Sequence, residues 1–397
     1  MRILVLNTDY PRFLLWFYQR QPELEQASYD VQMAARNASL FGVADFYSRN
    51  FAGLKHSAAE IHVNNPFLQT AWARAHGMAI KAPESVGSGE RRTLPNWLER
   101  SVKPFKPLLR PLARRIGLSP SLDEQAVKIL LAQIEDFRPD VVLNQDVFHV
   151  DTRLAQRIKS IGNPVLIGQV GIEPSRGHDW SAYDLMISQL PKTVRLFRAL
   201  GVSAEVNHLA FEPAILEVLP AAPALDTDIS FVGTVSVDHQ QRIALLEAVA
   251  QRYNLKLWGN RPQTLPASSP LHRCFQGEVW GADMYQVLRR SRITLNSHID
   301  LAGQEAGNMR LFEATGVGTF LLTDFKDNLD TLFTPELEVA TWHSIDDCLA
   351  KIARYIEDDD ARAEIARAGQ DRTLAQHTYR QRVTEILGFT ADIQARR

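Results

Sequence analysis

The chain is 397 residues long, with 45% hydrophobic and 23% charged residues. That is an ordinary globular composition on a length that two domains organise better than one core. Gly (21) and Pro (20) near average usage exclude collagen-like repetition, and abundant apolar residues exclude a disordered chain. Forty-four Lys plus Arg against forty-six Asp plus Glu leave a formal net charge of -2, so nothing calls for a polyanion and no nucleic-acid partner is expected.

The first predicted strand is 3–7, whose Ile3-Leu4-Val5-Leu6 run is four apolar residues. A signal peptide needs roughly seven to fifteen, so no export by that route is expected. Strands follow at 141–144, after a helix at 123–137, then at 165–168 and 185–188. A second series has strands at 229–233, 256–259, 293–296 and 320–323, with a short fifth at 337–340 and helix from 358 to 397. Short uninterrupted apolar runs alternating with helical segments read as parallel α/β sheets covered on both faces. The Pro/Ala stretch at 219–226 has no period and separates the two series. The expected frame is α/β, two doubly wound Rossmann-like domains facing a central cleft: residues 1–215, then 216–375, with a closing helix at 376–397 packing back toward the first. Ligands in such folds sit at the carboxyl ends of the strands.

Cys274 and Cys348 have no CxxC companions, which argues against a disulfide scaffold and a cysteine zinc site and fits a reducing compartment. No window approaches the roughly eighteen apolar residues of a membrane span. A cytoplasmic protein is expected, at most peripheral at the inner face of the membrane.

Neither half carries the G-x-G-x-x-G turn of a dinucleotide site after a strand, and no P-loop occurs. The predicted strand 229–233 instead ends in Gly233-Thr234, where a diphosphate can approach the main chain, and Arg242 near the next helix start could pair with it. Further on stands Gln304-Glu305-Ala306-Gly307-Asn308-Met309-Arg310-Leu311-Phe312-Glu313-Ala314, followed by a strand ending in Thr323-Asp324. A polar Gly-containing loop feeding a helix offers N–H groups and a positive dipole end to a diphosphate, and Arg310 adds a full charge.

This run resembles the nucleotide-sugar site of GT-B glycosyltransferases, in particular the CgeB-like group related to glycosyltransferase family 4. Phe275-Gln276-Gly277-Glu278-Val279-Trp280 and His377-Thr378-Tyr379 are similar to further motifs of that group, so the resemblance spans roughly 228–390. It implies a nucleotide-diphosphate-sugar donor such as a UDP-sugar, with ribose on Glu313, the diphosphate near Asn308 and Arg310, and the base edge near Val279 and Trp280. It also implies transfer with retention, Glu305 near the donor sugar by the E-x7-E spacing, no cofactor and no essential metal. The loop after Glu305 departs from the Gly-rich pattern of the group.

The first half carries the acceptor in this reading, which is a carbohydrate, a protein or a lipid-linked molecule. Its candidates lie at strand ends: Asn7 to Tyr10, Asn144 to Asp146, and Gln169 to Glu173. If the enzyme inverts, Asp146, His149 or Glu173 must take the acceptor's proton; if it retains, the leaving diphosphate can. The acidic run Glu357 to Asp360 is explained by a helix start rather than a metal. Residues 91–115 hold eight Lys or Arg against one acid, a candidate for peripheral contact with anionic lipid or a basic insertion by the acceptor site. As an exposed cleft residue, Arg310 replaced by Ala is expected to lose turnover far more than stability. The rival readings are a nucleotide-sugar epimerase or hydrolase on the same fold, and a non-catalytic nucleotide-sugar-binding protein.

Overall fold

The computed structural model describes residues 1–86, 122–174, 178–220, 224–235, 240–260, 265–299 and 303–397. The basic segment 91–115 lies outside them. Two compact units are formed, one by Met1–Asn207 with Val383–Arg397 and the other by His208–Arg382.

The first unit is built on a six-stranded parallel sheet in the order β2-β1-β3-β4-β5-β6. Its strands are β1 Arg2–Asn7, β2 Ser57–His62, β3 Val141–Asn144, β4 Val165–Gln169, β5 Leu185–Ser188 and β6 Ala204–Val206. Ile3, Leu4, Val5 and Leu6 are each 1% exposed, with no in–out alternation, because helices cover both faces. On one face Leu4, Leu6, Val142, Leu166 and Met186 pack with Leu130, Ile134, Ile158 and Phe197. The helix Glu124–Phe137 starts at Asp123, whose carboxylate accepts the Ala126 N–H at 2.8 Å, a cap worth about 1 kcal/mol. Strands β2 and β6 have weak sequence signals for a physical reason: they are the sheet's edges, and Ser-Ala-Ala-Glu-Ile-His needs burial on only part of its length.

The second unit repeats the plan in the order β12-β11-β10-β7-β8-β9, all parallel. Here the strands are β7 Thr227–Val232, β8 Leu255–Trp258, β9 Phe275–Gly277, β10 Ser291–Leu295, β11 Leu321–Asp324 and β12 Ala340–Trp342. The last begins where the expected strand 337–340 ends. Leu337 is 65% exposed and sits in a turn closed by the Glu336 N–H on Val339 O, so Val339 and Ala340 are the first residues able to enter the core. Helices on the two faces enclose Ile229, Phe231, Leu246, Leu257, Ile293, Leu322 and Ile352. A polar pair, Ser230 Oγ and Thr294 Oγ1 at 3.0 Å, is satisfied within the sheet.

The carboxyl-terminal helix is two, Asp359–Gln376 and Tyr379–Arg396. Between them His377 O accepts the Phe211 N–H and Phe211 O accepts the Tyr379 N–H, a bridge that makes residues near 211 part of the second unit. Gly316 permits it, since a Cβ there would lie 2.3 Å from the Phe211 ring. The chain ends in the first unit, with Arg397 donating to Asn163 O and to Asp184. Among the described residues no helix is long and apolar enough to cross a membrane.

Candidate functional site

Both sheets change direction of strand addition at one seam, and open α/β folds bind ligands at the carboxyl ends beside that seam. In the second unit the seam lies between β7 and β10. Gly233 follows β7 and Gly259 follows β8, and the two are pressed together: Gly259 has φ +147°, and a Cβ on it would sit 2.0 Å from Gly233 O. The chain ends there are bare main chain, with Gly233 half-buried and Thr234 exposed. Arg242, on the helix Gln240–Arg252, donates to Thr234 O at 2.8 Å and to Ser297 O at 2.6 Å, with its guanidinium 5.5 Å from the Phe231 ring centroid. Only 6% exposed, it staples the end of β7 to the end of β10 across the seam. Sequence suggested a diphosphate ligand for Arg242; the bonds it makes here hold the loops that frame the seam.

The helix Met309–Gly316 opens onto the same corner. Asn308 caps it, with Oδ1 accepting the Leu311 N–H at 3.3 Å, and is itself held by a reciprocal amide pair with Asn296 at 2.8 and 3.2 Å. Arg310 in the first turn donates through Nε to Val232 O at 3.2 Å and lies 3.2 Å from Met284 Sδ. One turn on, Glu313 Oε2 is 2.8 Å from Arg310 Nη1. Burial pushes the Glu313 carboxyl above the ordinary carboxylate range, with the Arg310 charge pulling the other way. Tyr285, buried beside this pair, is raised well above the usual phenol value by the same burial. The side chains of Arg310 and Glu313 are 13% and 8% exposed, so the expectation that Arg310 is an exposed residue of little weight in folding is corrected: it neutralises a buried carboxylate. Val279 and Trp280 are half-buried just before the helix Gly281–Arg289, whose Met284 touches Arg310. Glu305 is half-buried in the loop ahead of Asn308.

His298, which no motif marks, and Asp324, the end of the Thr323-Asp324 strand, complete this corner. His298, after β10, shares a hydrogen bond with Asp324 at 2.7 Å through Nδ1, and its own N–H donates to the same carboxylate at 3.1 Å. Lys326 lies 3.3 Å from Asp324. Burial would raise Asp324, but the hydrogen bonds from His298 and the Lys326 charge outweigh it and hold the group below the usual carboxylate range.

In the first unit the seam lies between β1 and β3. Asp146 Oδ2 accepts Thr8 Oγ1 at 2.7 Å and pairs with His149 Nδ1 at 2.6 Å, while Oδ1 accepts the His149 N–H at 3.1 Å. Burial would lower His149, yet the bond and charge of Asp146 raise it above the ordinary imidazole value; Asp146 moves below its own, against burial. With Nδ1 on Asp146, Nε2 is the atom left to exchange a proton, and the ring is 27% exposed. Glu173 stands apart, half exposed in an ion pair with Lys192. Of the other strand-end candidates, Tyr10 is 64% exposed, whereas Asn7, Asp9 and Asn144 are buried. Asp9 is shut in with Arg36 and His62, and Asn144 donates to Tyr183 OH at 2.7 Å, so these two make structural bonds rather than facing an acceptor. Burial would raise Asp9, but the Arg36 charge and the bonds from Arg36 and His62 outweigh it and hold the group far below the carboxylate range. Among the described residues no group of three or more His, Cys, Asp or Glu is placed to hold a metal ion.

Residues 241–388 match the model of a family described as glycosyl transferase-like. None of the curated proteins matches the chain. Among solved structures it is similar to sucrose-phosphate synthase of Thermosynechococcus elongatus, with a TM-score of 0.57, 11% identity and all of both chains covered. It is also similar to HepE of Anabaena in complex with UDP-glucose, with a TM-score of 0.56, 12% identity and 98% and 99% of the two chains covered. A glycosyltransferase of Rickettsia africae gives a TM-score of 0.57 at 10% identity over 99% and 98%. The two parallel six-stranded sheets with their helices are the GT-B fold.

Proposed function

We propose that the chain is a glycosyltransferase whose second unit binds a nucleotide-diphosphate sugar and passes the sugar to an acceptor hydroxyl. The observation that carries this is the buried Arg310–Glu313 pair in the first turns of the helix Met309–Gly316, beside the β7–β10 seam. A guanidinium and helix-end amides suit the diphosphate, and a buried carboxylate suits two ribose hydroxyls. The bond between anomeric carbon and diphosphate oxygen breaks, a bond to the acceptor oxygen forms, and the acceptor's proton leaves. Positioning and charge stabilisation supply the catalysis, with no cofactor and no essential metal. Similarity to HepE, described as a complex with UDP-glucose, makes UDP-sugars the first donors to test.

Resemblance to family 4 favours retention, with the leaving diphosphate taking the proton. The Asp146–His149 pair favours a second reading, inversion, in which His149 Nε2 takes it. Thermal-shift and calorimetric surveys with UDP, GDP, ADP and dTDP sugars, followed by turnover and anomeric analysis of the product by NMR, test both. No binding of any of the four refutes the donor reading. Donor consumed equally without acceptor supports an epimerase or hydrolase instead, and binding without turnover a non-catalytic protein. Under inversion, kcat/KM falls on the acid side as His149 takes a proton, and His149→Gln abolishes that limb.

A further inference from the structure

The loop 303–308 is held from outside at nearly every residue. Lys326 Nζ donates to Gly303 O at 2.8 Å and the Asp327 N–H to Gln304 O at 2.9 Å. Asn328 grips Ala306 in both directions, accepting its N–H at 2.6 Å and donating to its carbonyl at 3.1 Å. The Gly307 N–H donates to His298 Nε2 at 3.3 Å, and Asn308 pairs with Asn296. Every anchor comes from the short segments that follow β10 and β11. Glu305 is bracketed by them on both sides.

One anchor depends on a protonation choice. A peptide N–H can only donate, so His298 Nε2 must be unprotonated and the ring's proton must sit on Nδ1, facing Asp324 Oδ1 at 2.7 Å. Asp324 therefore sets the tautomer, the tautomer makes the acceptor, and the acceptor holds Gly307, which is buried in a backbone region open to glycine with φ +151°. His298 is 4% exposed, so both bonds are shielded from bulk solvent.

We propose that His298, oriented by Asp324, is a positioning residue of the donor site: it fixes the loop that carries Glu305 and delivers Asn308 and Arg310 to the helix mouth. This rests on the donor reading above. It gives a role to residues outside the Glu305–Glu313 motif and assigns His298 no contact with the sugar nucleotide.

The test compares the full chain with His298→Ala, which removes the acceptor, and His298→Gln, whose amide oxygen can restore it. Hydrogen–deuterium exchange of the 303–308 peptide needs no ligand. Calorimetry uses the first of UDP-, GDP-, ADP- and dTDP-glucose that the wild type binds. Expected are faster exchange of 303–308 in His298→Ala with the rest of the second unit unchanged, donor affinity about tenfold weaker, equivalent to ~1.4 kcal/mol, and recovery of both in His298→Gln. Unchanged exchange in the alanine variant overturns the proposal, as does donor affinity within twofold of wild type. Loss of the folded state in both variants also overturns it, because the pair then supports the whole unit rather than the loop. Should the wild type bind none of the four donors, the donor reading fails and the proposed role with it, while the exchange result still decides whether His298 holds the loop.

Discussion

Removing Arg310 tests the frame and the site at once. At 2.8 Å the pair with Glu313 has a gross attraction of about 6 kcal/mol at an effective dielectric of 20. Desolvation more than offsets it at Glu313, which stands above its ordinary pKa despite the neighbouring cation. Breaking the pair is another matter, because Arg310→Ala strands a carboxylate that is 8% exposed and leaves Val232 O without that donor. The expected loss is about 3–5 kcal/mol at neutral pH, the range for one partner of a buried pair. Stranded Glu313 will have a folded pKa raised further above its unfolded value of about 4.3, so the variant is most stable below that value and loses stability as pH rises. The deficit should therefore shrink between pH 7.5 and 5. Adding Glu313→Gln removes the stranded charge and should return about 1–3 kcal/mol. Urea denaturation of wild type, both single variants and the double variant measures all four corners, and calorimetry on the folded variants reports donor binding. An Arg310→Ala protein within about 0.5 kcal/mol of wild type, or strictly additive effects, would refute the claim that this pair is buried and coupled.

His377 predicts a second pH dependence. Burial is the main cause holding it down to about 4 from 6.5, against the favourable bond from Nε2 to Leu332 O at 2.8 Å and with help from Arg382 and Arg372. A depressed folded pKa means stability that is complete above about 6.5 and lost as pH falls toward 4, about 3 kcal/mol in all. His377→Gln, which keeps a donor for Leu332, should flatten that part of a denaturation-against-pH curve. Gly259→Ala should fail to reach soluble native protein or melt far lower in a thermal scan, because its Cβ would overlap Gly233 O at 2.0 Å in a backbone region that L residues avoid. Turnover, once a donor is found, should be unchanged by EDTA and by added Mg²⁺; strict loss in chelator with rescue by a divalent ion would contradict the metal-independent proposal.

Much of this protein can be read along the chain because its strongest signals are local. Four apolar residues between polar ones suffice to mark β1, and Arg310 with Glu313 lie three residues apart on one helix, so their meeting is a property of helical geometry. The β12 start was misplaced because Leu337 looks like a strand residue until its turn leaves it in solvent. Edge strands β2 and β6 are faint because partial burial demands only a partial apolar pattern.

Long-range pairing decided the rest. The sequence marks Arg242 for a diphosphate; only the fold brings two carbonyls 63 positions apart, Thr234 O and Ser297 O, to its guanidinium. Asp9 and Asp146 look alike as carboxylates beside strand ends, yet Asp9 is walled in by Arg36 and His62 while Asp146 carries a partly exposed histidine. His298 and Asp324 are 26 residues apart and meet only because β10 and β11 are neighbours in the sheet. Periodicity and motif specify which residues prefer burial, charge or a turn; which side chains share one low-dielectric space depends on strand order, and strand order arises from the packing of the whole unit.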